Sequence, residues 1–205
     1  MRILFLLILI LAGCRQKSPE KTLTNPAIDS PIVSAAGFDY LRIKSVCQKL
    51  LSKKPEKLPQ YIADSLVPCW YGTPWDFNGC TITPQKGKIA CGYFVTTVLK
   101  DAGVNINRVK MATCPSSILI KAVCSEIKTY GNKPVSDFIS RVKQKEPGLF
   151  IVGLDKHTGF IYNDGSDVYF IHSSYYAPKC VVKEKAAESP ALIYSNIRMI
   201  GRIKL

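Results

Sequence analysis

The chain has 205 residues and a net charge of +13, with 28 lysines and arginines against 15 acidic residues. Such a balance favours anionic surroundings, namely phosphate-rich envelope polymers or lipid head groups. Nucleic acid is disfavoured as a partner, because the lysines are scattered and no recognised binding motif appears.

Residues 1–13 read as a targeting segment. Arg2 supplies the positive charge and an unbroken apolar run fills positions 3 to 12. That run is too short for a membrane span, which needs about 20 residues, but it fits a secretory signal core. Leu11-Ala12-Gly13-Cys14 closes it and resembles the bacterial lipobox, in which the chain is cut before the cysteine and that cysteine is lipidated. On this reading Cys14 begins the mature protein and anchors it to a membrane of the bacterial cell envelope, on the periplasmic or outer-membrane side. An ordinary cleaved signal with an incidental cysteine is the alternative. Residues 14–36, with Pro19, Pro26 and Pro31 among polar side chains, read as a flexible tether.

Residues 37–205 are one domain's worth of chain, with no internal repeat. Apolar spacing predicts helices over 38–53 and 58–66. A loop rich in Trp, Pro, Gly and Asn follows over 67–87. The next helix starts at Cys91, carries Phe94, Val95, Val98, Leu99 and Ala102 on one face, and stops at Gly103. Further helices are predicted over 116–130, stopped by Gly131, and over 134–145. After Pro147-Gly148 the pattern changes to branched and aromatic residues, predicting strands over 149–154, 157–162, 168–173, 180–183 and 197–205. Helices followed by an antiparallel sheet make an α+β domain.

Cysteine usage points to an oxidising compartment. Setting aside Cys14 and Cys91 leaves Cys47, Cys69, Cys80, Cys114, Cys124 and Cys180, an even number that suggests disulfides. Sequence proximity suggests Cys69 with Cys80, Cys114 with Cys124, and by remainder Cys47 with Cys180. A zinc cluster is disfavoured, because these six show no Cys-x-x-Cys pairs and no nearby histidines.

Cys91, on the first turn of its helix, lies at the positive end of the helix dipole, which favours thiolate. A packed core cysteine is the bland reading. The chain has only two histidines, and both fall in one predicted hairpin around Asp164-Gly165. With that dipeptide as the turn, Asn163 faces Ser166 and His157 directly faces His172, their Cβ atoms about 4.5–5.5 Å apart on one face. Cysteine attack on an amide carbonyl wants this set: Cys91 as nucleophile, His157 as base and His172 as the residue orienting that base. The N–H groups at the helix start are natural oxyanion donors. An open Cys-His-His metal site and a purely structural histidine ladder are the competing readings.

Tyr71-Gly72-Thr73-Pro74, Ala90-Cys91-Gly92-Tyr93-Phe94-Val95, His157-Thr158-Gly159-Phe160-Ile161-Tyr162 and Phe170-Ile171-His172, in this order, resemble the NlpC-type cell-wall cysteine peptidases. The resemblance implies a papain-like fold with the nucleophile helix packed on the C-terminal sheet. It implies a lipoprotein thiol hydrolase that cuts peptidoglycan stem peptides, and we expect a monomer that uses no cofactor or metal. It places Tyr71 beside the nucleophile, to bind substrate or assist the oxyanion. Trp75 and Asp76 of the long loop and Tyr93 next to the nucleophile are the other candidate substrate contacts. Two features depart from the family pattern. Ala90-Cys91-Gly92-Tyr93 stands where Asp-Cys-Ser-Gly is usual, and the loop from Trp75 to Gly87 is longer. An inactive envelope-binding lipoprotein of the same fold and an acyltransferase on that scaffold remain open alternatives.

Overall fold

Six antiparallel strands and seven short α-helices make up the part of the chain that the computed structural model describes, residues 40–205. The proposed lipobox, Cys14 and the tether lie outside the described residues. The helices α1 (Tyr40–Lys53), α2 (Leu58–Tyr61), α3 (Cys91–Asp101), α4 (Arg108–Thr113) and α5 (Ser116–Val123) all come before the first strand. The strands are β1 (Cys124–Gly131), β2 (Gly148–Leu154), β3 (Thr158–Asn163), β4 (Val168–Ser173), β5 (Val181–Lys185) and β6 (Ile197–Ile203). Helix α6 (Val135–Lys143) and the single turn α7 (Pro190–Ile193) lie between strands. The strand order is β1-β6-β2-β3-β4-β5.

The apolar stripe read on α3 is the stripe that packs. Phe94, Val95, Val98, Leu99 and Ala102 are all fully buried, in one core with Leu149, Ile151, Phe160 and Ile171 of the sheet. The alternate strand residues Phe150, Val152, Ile161 and Phe170 face the other way, into a second core with Phe138 and Val142 of α6. The strands therefore bury both faces and read as continuous apolar runs. Gly103, at φ +95°, turns the chain after α3 through a conformation open to glycine.

The long loop after Trp70 is fastened rather than loose. The Arg108 guanidinium donates to the Cys80 and Thr81 carbonyl oxygens at 2.8 and 2.9 Å and to Thr97 Oγ1 at 2.6 Å. At the far end of α3, Tyr40 donates to Asp101 at 2.6 Å and Lys44 pairs with the same carboxylate at 2.7 Å, tying α1 to α3.

Three expectations are corrected. The helix predicted over 116–130 ends at Val123, where Cys124 turns extended (φ −120°, ψ 153°) and begins β1. Ile120, Val123, Ile127 and Tyr130 keep a helical spacing, but pairing with β6 outweighs that local pattern. The hairpin register is shifted by two residues: Tyr162 faces Tyr169 and Phe160 faces Ile171, so Gly165-Ser166 is the turn. Asp164 forces this, its Oδ1 accepting from the backbone N–H of Ser166 and Asp167 at 2.9 and 2.7 Å. Finally, Cys47, Cys69, Cys80, Cys91, Cys114, Cys124 and Cys180 are all free, so none of the expected disulfides is present among the described residues. Cys69 and Cys114 instead donate within their own helical turns, to Ser65 O and Met111 O at 3.4 and 3.3 Å.

Candidate active site

Ala90, in extended conformation, delivers the chain to α3, so that Cys91 is the first helical residue. The turn has no side-chain cap, which leaves its N–H groups available at the helix start. The N–H groups of Thr158, Gly92 and Cys91 itself approach the Cys91 sulfur. Burial pushes the thiol above its ordinary range, and those three donors pull in the opposite direction without cancelling it. Cys91 is therefore a thiol at rest, not the thiolate expected from the helix dipole alone.

The histidines meet despite the shifted register. A shift of two residues preserves the alternation of faces, so both imidazoles stay on one side of the sheet. His172 comes beside Gly159, where an added Cβ would lie 2.8 Å from His172 Cβ, and His157 sits one residue ahead of β3. Reaching diagonally, His157 Nε2 lies 2.7 Å from His172 Nδ1. Phe170 stacks on His172 with centroids 4.0 Å apart, and Tyr175 meets the His157 ring edge-to-face at 5.0 Å. Both rings are buried, which lowers the pKa of each below the ordinary histidine value. For His157 the neighbouring His172 lowers it further. His157 Nδ1 is buried and makes no hydrogen bond.

Cys91, His157 and Thr158 line one cavity of about 370 Å³. Its walls are Met111, Cys114, Leu119 and Met199 on the apolar side, with Ser116 and Lys156 as polar members. Cys91 and His157 both line this space and His157 Nδ1 makes no hydrogen bond to the sulfur, an arrangement common before substrate binds. Among the described residues no group of three His, Cys, Asp or Glu side chains is arranged to hold a metal ion.

No family model, curated protein or solved structure matches this chain.

The other candidate contacts lie outside the cavity lining. Tyr71 packs against the first core near Asp64 and Tyr162, and burial pushes its phenol well above the ordinary value. Tyr93 lies under the Arg108 guanidinium at 4.7 Å. Asp76 pairs with Lys88 at 3.1 Å on the exposed loop. Trp75 reaches the site only at second hand, its ring 6.1 Å from that of Tyr175. Two residues were not legible. Tyr175 follows the last strand motif in an irregular segment, and its phenol is pushed up to about 12 by burial, then by Tyr176 and Cys91. Glu184, on β5, places Oε1 3.0 Å from His172 Nε2. Its position depends on strand pairing, which the local sequence does not encode.

Proposed function

We propose that this protein is a papain-like, NlpC-type cysteine endopeptidase or amidase, anchored through lipid on Cys14, that hydrolyses peptide bonds in peptidoglycan stem peptides. The observation that carries the reading is the His157–His172 pair at 2.7 Å, with His157 lining the same cavity as a cysteine on the first turn of a helix. His157 Nδ1 takes the thiol proton as the Cys91 sulfur attacks the carbonyl carbon. The N–H groups at the start of α3 stabilise the oxyanion. The tetrahedral species collapses to a Cys91 thioester, and the amine leaves with the proton returned by His157. Water then attacks the thioester, His157 again accepting a proton, to give a carboxylic acid and free thiol.

The apolar wall of Met111, Leu119 and Met199 favours one second reading, in which the thioester carries a fatty acyl group and passes it to an amine or hydroxyl. Mass analysis of products from a defined set of stem peptides separates the two. The wild type should release fragments that have gained one water, and Cys91→Ala should release none while keeping its fold. Equal fragment release by Cys91→Ala would overturn the proposal.

A further inference from the structure

Glu184 is the last member of a hydrogen-bonded chain that runs from β5 to the cleft. Its Oε1 lies 3.0 Å from His172 Nε2, and His172 Nδ1 lies 2.7 Å from His157 Nε2. Desolvation alone would raise the Glu184 pKa, but hydrogen bonding to His172 and to Ser189, and then the charge interaction with His172, hold it below the ordinary carboxylate value. An ionised carboxylate has no hydrogen to donate, so the hydrogen in this contact belongs to His172 Nε2. A neutral imidazole carries only one such hydrogen, which leaves His172 Nδ1 as an acceptor. The 2.7 Å contact then requires its hydrogen from His157 Nε2. His157 is neutral as well, so its Nδ1 keeps a free lone pair. This is the buried, unpartnered nitrogen of a residue that lines the same cavity as Cys91.

We infer that Glu184 is a positioning residue, setting the tautomers of both imidazoles so that His157 Nδ1 is the basic nitrogen facing the nucleophile. Among the described residues, no other polar side chain is hydrogen-bonded to either imidazole. Phe170 offers only a stacked ring, and Tyr175 offers its ring to His157. Without the carboxylate, the contact is satisfied equally well in reverse, with His172 Nδ1–H donating to His157 Nε2. His157 would then hold its hydrogen on Nδ1 and could not accept the thiol proton. When His157 does take that proton, the positive charge is carried through His172 towards the Glu184 carboxylate, which lowers the cost of forming it in a buried site.

The inference rests on the reading of Cys91 and His157 as the reacting pair, but its main test needs no activity. Long-range proton–nitrogen NMR on protein labelled at its two histidines reads both tautomers directly. At pH 7.5 the wild type should show both rings protonated at Nε2. Glu184→Ala should give His157 a substantial Nδ1–H population. With the best stem peptide, it should lower kcat about 10- to 100-fold with KM held. Glu184→Gln, whose amide oxygen can still accept from His172, should recover part of both. A wild-type His157 protonated at Nδ1, or unchanged tautomers in Glu184→Ala, would overturn the role of Glu184. Correct tautomers in a protein inert towards every stem peptide would leave Glu184 standing and count against the proposed reaction.

Discussion

Burial decides the resting state of the site at the residue scale. It raises the Cys91 thiol and lowers both imidazoles, so the ground state is a neutral thiol beside a neutral base rather than a thiolate–imidazolium pair. The pH dependence follows from this. The proposed reaction requires His157 to be unprotonated, and its pKa lies well below the ordinary 6.5. The acidic limb of kcat/KM should therefore fall below pH 6.5. The rate should then stay flat through neutrality, because the thiol does not ionise before its ordinary value of 9.0. The titratable groups in contact with the two imidazoles are the Tyr175 phenol and the Glu184 carboxylate from β5, with the Cys91 thiol lining the same cavity as His157, and none of these three titrates near neutrality. Stopped assays between pH 5 and 10 measure the profile. An acidic limb centred at or above pH 6.5 would contradict this picture of the site.

Individual elements explain both what the sequence made legible and what it hid. The α3 stripe, the strands β2 to β4 and the start at Cys91 were readable because each rests on local periodicity that the core then uses. The β1 strand was not, because its helical spacing yields to β6, a partner strand distant in the chain. The hairpin register was missed because Asp164 caps the turn with its own carboxylate instead of occupying its centre. The histidines still met, since a two-residue shift keeps faces aligned. Gly92, which departs from the serine of the family pattern, has a local cause in the packing of α3 on α4. A Cβ built there would lie 2.2 Å from the Ala112 carbonyl oxygen. Gly92→Ala should destabilise the protein by about 1–3 kcal/mol through overpacking. It should also displace the cavity wall formed by Met111 and Ala112. Chemical denaturation measures the first effect, and stability equal to wild type would mean that α4 moves aside freely.

At the scale of the whole molecule, α3 brings Cys91 to one face of the sheet, whereas β4 turns His172 to the other face beside Phe170, so Cys91 and His157 share a cavity at the strand end rather than across the helix–sheet interface. Folding thereby buries both histidines of the chain in uncharged form. The unfolded chain binds protons at these positions near pH 6.5 and the folded one does not, so stability rises with pH across that region and falls as pH drops below it. Histidine is the side chain whose ordinary pKa lies there, so melting temperatures between pH 7.5 and 5.5 report mainly on this pair. The wild type should lose stability on acidification, and His157→Gln should lose less. A flat wild-type response would mean that the rings are not buried neutral. The central claim, that Cys91 attacks and His157 takes its proton, is tested most directly by acid-quenching the enzyme during turnover of a stem peptide and measuring the mass of the Cys91 peptide. The account predicts a thioester-linked fragment on Cys91 in the wild type, strongly reduced in His157→Gln and absent in Cys91→Ala. Turnover without any adduct, undiminished in Cys91→Ala, would contradict it.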